Sequence, residues 1–326
     1  MKQRVLITGA SGFLGFHLIE AALNRQLDVY AAVRKSSDVK HLECFNIQFT
    51  YPDFSSIDAL KKEIEKNQYS YIIHAAAVTK AGTTDEYNKV NAGYSYNIGK
   101  AVEMTGTLTK FVFISSLAAI GPSQQLNEVI TEHTEPKPVT AYGKSKLLAE
   151  KRLFHLSLPL VVLRPTAIYG PGEKDIFILF KSINRGWEPY IGSMQQQLSF
   201  VYVKDVAEAA VDALFTDHHG AYNISDGNCY SRYDLADLAK LMLMRKTKKV
   251  HIPRSIVKSI VAVLDTTYRL FGRIPVINKE KIYELTAINW HCSIDKAKEE
   301  LGFEPAYNLM NGLTETFQWY RRNQWL

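Results

Sequence analysis

The sequence predicts an α/β protein: a doubly wound parallel sheet followed by a smaller, mainly helical C-terminal lobe. Three observations carry this expectation. Short apolar runs alternate with longer amphipathic ones through the first half, a glycine triplet stands at the first strand-to-helix junction, and after Arg164 the chain becomes loop-rich and then helical. The runs Arg4–Thr8, Val29–Val33, Tyr71–His74, Lys110–Ser115 and Leu160–Arg164 are brief, rich in β-branched or aromatic residues and mostly apolar. Strands covered on both faces have this character. Between them, Gly12–Arg25, Ser55–Lys66, Asp85–Met104 and Ala141–His155 carry apolar residues at helical spacing. Strand and helix in alternation, joined by short links, require a parallel sheet with helices on both faces.

The stretch Pro165–Ser193 is punctuated by Pro165, Gly170, Pro171, Gly172, Gly186, Pro189 and Gly192, which predicts loops around one short helix, Asp175–Asn184. A strand at Ser199–Val203, a helix at Val206–Phe215 and a strand at Ala221–Ile224 resume the first architecture. Arg232–Met244, Arg254–Phe271, Lys279–Ala287, Ser293–Leu301 and Leu309–Arg322 then read as helices. The expected organisation is a first domain over residues 1–168, rejoined by 198–224, and a lobe made of 169–197 and 225–326. Sheets of this kind bind ligands at the carboxyl ends of their strands, so the crevice between the lobes is the expected site.

Composition bounds the function. With 46% hydrophobic and 22% charged residues, the 326-residue chain is no disordered polymer. Its net charge of +6 is scattered apart from the run Arg245–Lys249, which argues against a nucleic-acid partner. Cys44, Cys229 and Cys292 are far apart and show no CxxC spacing, so neither a disulfide framework nor a metal knuckle is expected. The N-terminus lacks a signal-peptide core, and the most apolar stretch, Ile256–Phe271, is interrupted by Lys258, Asp265 and Arg269. A cytoplasmic protein without stable membrane insertion is the expectation.

Gly9, Gly12 and Gly15 lie between the first strand and the first helix. The first permits a tight turn, the second lets backbone approach a pyrophosphate, and the third allows close packing of helix on sheet. The helix start offers free N–H groups and the positive end of its dipole. At the end of the second strand, where a carboxylate would bind a ribose 2′-OH, the sequence has Arg34 and Lys35, with no acid before Asp38. Two cations there favour NADP, through its 2′-phosphate, with NAD the other fit.

Tyr142 and Lys146 are four residues apart, hence one turn apart on one helix face. A free tyrosine has a pKa near ~10 and is a poor base. A neighbouring ammonium would favour its phenolate and equip the pair for proton transfer. The strand Phe111–Ser116 ends in two hydroxyls, Ser115 and Ser116, expected on the crevice side, where a serine can hold a substrate oxygen.

Together these residues resemble an extended short-chain dehydrogenase/reductase of the NAD-dependent epimerase/dehydratase type, with a Rossmann-type domain. Thr8–Gly15, reading TGASGFLG, resembles that family's glycine loop and implies cofactor contacts from Ser11, Phe13 and Leu14 as well. Asp53 and Phe54 resemble its adenine-contacting pair, Ala75, Ala76 and Ala77 its cofactor wall, and Asn91 its active-site helix asparagine. Ile114 belongs to the strand leading to the serine, and Pro165, Ala167 and Ile168 lie in a motif whose backbone meets the nicotinamide. Ser116, Tyr142 and Lys146 match the catalytic trio, and the likeness continues through Phe200–Asp205 to Lys296–Phe303.

Within that resemblance, the neutral Gln195–Gln197 replaces an arginine often used to grip a nucleotide-sugar diphosphate. Leu117–Ala119 holds no acid for a dehydratase, and Arg34 is similar to NADP-type reductases. Ile252–Arg254, the helix Ile256–Phe271, Arg273 and Asn289–Ser293 resemble the tails of dihydroflavonol-reductase-like and 3β-hydroxysteroid-dehydrogenase-like members. The resemblance thus implies interconversion of a secondary alcohol and a ketone on a fairly apolar small molecule. The alternative is a nucleotide-sugar epimerase, with Arg185 or Arg273 as the phosphate clamp. A homodimer through the helices Asp85–Met104 and Ala141–His155 is also implied, with Tyr87, Tyr94, Tyr96 and Leu147 facing either a partner or the core.

Overall fold

The computed structural model describes residues 2–192, 195–261 and 279–326. Its strands in chain order are β1 (Arg4–Thr8), β2 (Asp28–Ala32), β3 (Gln48–Thr50), β4 (Tyr71–His74), β5 (Lys110–Ile114), β6 (Leu160–Pro165), β7 (Ala167–Tyr169), β8 (Trp187–Ile191), β9 (Gln197–Leu198), β10 (Phe200–Tyr202), β11 (Gly220–Ile224), β12 (Tyr230–Ser231) and β13 (Lys248–Ile252). The helices are α1 (Phe13–Asn24), α2 (Ile57–Asn67), α3 (Thr84–Tyr87), α4 (Tyr94–Thr105), α5 (Ala141–Phe154), α6 (Asp175–Asn184), α7 (Val203–Asp212) and α8 (Asp234–Leu243). They continue with helical residues 254–261 (α9), α10 (Lys279–Leu285), α11 (Asp295–Leu301) and α12 (Leu309–Arg322).

Seven strands form one parallel sheet in the order β11-β6-β5-β4-β1-β2-β3. The expected Rossmann-type, doubly wound α/β fold is what the chain adopts. Side chains alternate between faces along each strand. Val5, Ile7, Val112 and Val161 pack with residues of α1 and α7, while Leu6, Ile72, Phe111 and Val162 pack with residues of α2, α4 and α5. A third core, around Tyr169, Phe180, Tyr202, Leu313 and Phe317, joins α6, α8 and α12.

Several elements differ from expectation. The helix expected over Asp85–Met104 is divided into α3, a π-helical stretch Asn88–Gly93, and α4. Asn91 accounts for the irregularity: its side chain accepts a bond from Val78 N (2.8 Å) and donates to Val78 O (3.0 Å), pinning this turn to the loop after β4. The loop-rich stretch after Pro165 contains two strands, β7, which pairs with β10, and β8, which pairs with β13. Of the helix expected over Arg254–Phe271, residues up to 261 are described; the remainder, with Arg273, lies outside the described residues. No helix among the described residues is long and apolar enough to cross a membrane. Tyr87 belongs to the core, whereas Tyr94, Tyr96 and Leu147 are half-buried.

Candidate active site

The site begins at the topological switch point, where β1 lies between β2 and β4 and the loops after β1 and β4 diverge. The fit around the glycines is close. A Cβ on Gly9 would lie 2.8 Å from the Ala75 carbonyl carbon, and one on Gly15 would lie 2.3 Å from Gly9 O. Gly12 N donates to Gly9 O at 3.0 Å and Gly12 caps α1, whose first turn has neither a side-chain cap nor an acidic residue. These helix-start N–H groups meet no competing anion of their own, so the cradle fits the pyrophosphate of a dinucleotide.

From this turn a cavity of about 2520 Å³ runs across the sheet. Its walls include Gly9, Ser11, Gly12, Phe13, Leu14, Gly15, Arg34, Lys35, Asp53, Phe54, Ala75, Ala76 and Ala77 on one side. Ile114, Ser116, Tyr142, Lys146, Pro165, Ala167 and Ile168 lie further along. Sites for one small ligand measure roughly 300–1,000 Å³, so this space suits a dinucleotide together with a second molecule. Arg34 and Lys35 are exposed at the end of β2. Asp53 accepts bonds from Ser55 N (2.9 Å) and Ser55 Oγ (2.6 Å), which hold its carboxyl below the usual range.

Tyr142 is the second residue of α5, which Thr140 caps by accepting from Gly143 N at 3.0 Å. Both Tyr142 and Ser116 line the cavity, and the Tyr142 ring meets Tyr87 edge-on at 6.4 Å. Lys146, 2% exposed, donates from Nζ to Ile114 O at 2.7 Å and lies 4.6 Å from the centre of the Phe113 ring. Burial pulls its ammonium down to about 7, with Glu150 acting against the fall. Burial also raises the Tyr142 phenol, and the Ser116 hydroxyl offsets part of the rise. One of the three ammonium N–H groups of Lys146 is engaged by Ile114 O, which leaves the others for a further partner.

A polar chain underlies this corner. Ala76 N donates to Thr8 Oγ1 (3.0 Å), which bonds His74 Nδ1 (2.8 Å). His74 Nε2 bonds Ser95 Oγ (2.9 Å), and Ser95 donates to Asn91 O (2.6 Å). Since Ser95 spends its proton on Asn91, the donor toward Ser95 is His74 Nε2–H, and the ring is neutral. Burial, helped by Lys146, holds His74 down to about 3. Asn91 continues the chain to Ser145 Oγ (2.9 Å), which donates to Tyr142 O (2.7 Å). Asn91 is thus tied to α5 at Tyr142.

Ser115 lines the cavity, as Ser116 does, but its hydroxyl is engaged elsewhere. Its hydroxyl donates to Glu150 at 2.5 Å in the interior, because adjacent residues at a strand end point to opposite faces. The sequence also missed contributions from the C-terminal lobe. Glu280 accepts from Ala141 N at 2.8 Å, and Glu284 acts on the Tyr142 phenol from the same short helix, α10. Carboxylates absent from Leu117–Ala119 thus arrive from elsewhere. Arg232 lines the cavity, stacked 5.0 Å from the Tyr190 ring centre, and donates to Ile191 O at 3.2 Å. Arg185 is exposed at the end of α6 and does not line the cavity. Among the described residues no His/Cys/Asp/Glu cluster could hold a metal.

The fold and cavity define a dinucleotide-dependent enzyme of the extended short-chain dehydrogenase/reductase class. The sequence model of the NAD dependent epimerase/dehydratase family matches residues 5–225, and the chain belongs to that family. Relatives include a ceramide reductase of Caulobacter vibrioides, 26% identical, with 99% of this chain and 96% of the relative covered. A UDP-glucose 4-epimerase of Vibrio cholerae is 26% identical over 98% and 95% of the two chains. A decarboxylating sterol-4-alpha-carboxylate 3-dehydrogenase of Saccharomyces cerevisiae is 25% identical over 97% of each. Among solved structures, the UDP-glucose 4-epimerase of Thermotoga maritima with UDP-glucose shares the fold, with a TM-score of 0.80 and 22% identity over 99% of this chain and 100% of that one.

Proposed function

We propose that the protein is an NADP(H)-dependent oxidoreductase interconverting a secondary alcohol and a ketone on a relatively apolar molecule. Ser116, Tyr142 and Lys146 carry the reaction, and residues 169–197 and 225–326 receive the substrate. The observation that carries the reading is that Ser116, Tyr142 and the buried Lys146 line one cavity, which a group of apolar side chains also lines. Leu198, Phe200, Leu235, Val261, Leu285 and Trp290 form that group, with Arg232, Glu280 and Glu284 as charged residues of the same cavity.

The glycine turn and Ala75–Ala77 would hold the dinucleotide, which supplies or accepts the hydride when bound. Ser116 Oγ holds the substrate oxygen. Tyr142 Oη gives that oxygen its proton as the ketone becomes an alcohol and takes a proton back in the reverse direction. The Lys146 ammonium stabilises the phenolate left behind.

NADP is favoured by Arg34 and Lys35 at the end of β2. NADPH should bind about tenfold more tightly than NADH and be consumed with ketones bearing large apolar groups, as titration and absorbance assays would measure. Equal affinity would remove the NADP preference, and no net consumption with any ketone would remove the reductase reading. The second reading, a nucleotide-sugar epimerase, is favoured by Arg232 in the cavity wall and by kinship with the Vibrio enzyme. Against it, Gln196 donates to Leu285 O (3.0 Å) and Ala287 O (2.7 Å), tying the position near the usual clamp to its own backbone.

A further inference from the structure

The basic run Arg245–Lys249 has no part in the reaction above, and it leads into β13, which pairs with β8 in a two-stranded parallel ribbon. Side chains alternate along each strand, and paired residues share a face. One face of the ribbon carries Glu188 and Tyr190 with Lys249 and His251, and it packs toward α8. There Glu188 is buried and accepts from Lys240 at 3.0 Å, and the Tyr190 ring meets Tyr233 at 4.9 Å. The other face carries Trp187, Pro189 and Ile191 with Lys248, Val250 and Ile252, and is apolar apart from the lysine. Trp187 is 53% exposed, and Pro189, Ile191 and Ile252 line the cavity. Ile178 on α6 and Ile260 on α9 continue this border, each 52% exposed and each also lining the cavity. Side chains that meet solvent and cavity at once mark its mouth, so the mouth opens on an apolar surface. Scattered exposed apolar residues need no explanation, whereas a contiguous set rimmed by polar groups marks a place of contact.

The rim is basic. Lys174 at the start of α6 is followed by Ile178, Lys181 and Arg185, all exposed and at three- and four-residue spacing along one stripe. Arg245 Nε donates to Asn184 Oδ1 at 3.3 Å and Lys248 N to Gly186 O at 2.9 Å, which set the basic run beside that stripe. Nearby carboxylates are paired: Asp175 with Lys80 at 2.7 Å and Asp237 with Lys240 at 2.5 Å. An apolar surface carrying a tryptophan and bordered by cations is complementary to the headgroup layer of an anionic bilayer. We propose that this face of β8 and β13, with Ile178 and Ile260, docks on an anionic lipid surface and holds the mouth of the cavity against it. The docking stands on the surface alone. Its use, passage of an apolar substrate from lipid into the cavity without crossing water, rests on the reductase reading above.

The test is sedimentation of the full-length protein with vesicles of phosphatidylcholine containing about one third phosphatidylserine. The protein should pellet with them, pellet less as salt rises, and stay in solution with phosphatidylcholine alone. Each cation beside an anionic surface changes partitioning about fivefold, so Lys181→Gln/Arg185→Gln/Lys248→Gln should lower it on the order of a hundredfold. The same charge removed from exposed positions of the first domain, as Lys62→Gln/Lys66→Gln/Lys151→Gln, should leave partitioning within about threefold. Trp187→Ser, at a position outside the cavity lining, should lower it about tenfold. No pelleting with the anionic vesicles, pelleting that phosphatidylserine does not raise, or equal losses in the two triple variants would overturn the proposal. So would a dimer that Trp187→Ser dissociates without changing pelleting, which would give the face to a second copy of the chain. Tyr142→Phe should pellet like the unaltered protein, so failure of the catalytic reading and failure of the docking surface are told apart.

Discussion

Tyr142→Phe should lower turnover by about 10³-fold while leaving the dissociation constant of the dinucleotide within about twofold. The substitution removes a single oxygen. The ring keeps its edge-on contact with Tyr87, and α5 keeps its Thr140 cap and the bond from Ala141 N to Glu280. What disappears is the hydroxyl, with the proton it carries, on which the Ser116 side chain acts. A loss confined to turnover, read by steady-state kinetics beside cofactor titration, assigns the phenol to chemistry. An equal loss of cofactor affinity would instead make it a binding group.

A comparably large effect, on binding, is expected from Gly15→Ala. The added methyl would sit 2.3 Å from Gly9 O and 2.5 Å from Ala10 O, both backbone atoms that cannot rotate aside. The helix must move off the turn, which opens the Gly12-to-Gly9 bond and spreads the N–H groups facing the pyrophosphate. Overpacking of this kind costs about 1–3 kcal/mol in stability. Dinucleotide affinity should fall by on the order of a hundredfold, since several charge-assisted contacts weaken together. Gly82→Ala is the control, because its new Cβ would meet nothing nearer than Glu86 Oε2 at 3.9 Å. Calorimetry of both variants with NADPH checks the contrast. Unchanged affinity in Gly15→Ala would mean that the cofactor lies elsewhere.

The features legible in the sequence are those that local physics dictates. Strands β4, β5 and β6 are buried along their length, so they appear as unbroken apolar runs. The glycine turn is visible because backbone crowding at Gly9 and Gly15 admits no side chain. Short or partner-dependent elements were hidden. β3 is three residues long and partly exposed, and β8 finds its partner β13 only through the tertiary fold. The π-helical stretch is set by Asn91 reaching Val78, a contact that a 3.6-residue period cannot reveal. Strand alternation held enough information to separate Ser115 from Ser116. Glu280, Glu284 and Arg232 reach the cavity through long-range packing of the C-terminal lobe, and nothing in their local sequence marks them.

In the proposed reaction a proton from Tyr142 and a hydride from the dinucleotide reach one carbonyl of an apolar ketone, and the hydride stays on its carbon. Deuterium transfer from NADPH labelled at its reactive carbon measures this directly. Mass spectrometry should find one deuterium at the new carbinol carbon, in proportion to the NADPH consumed, with little transfer by Tyr142→Phe. Absence of label from every ketone offered, together with conversion of UDP-glucose without net loss of cofactor, would instead show an epimerase.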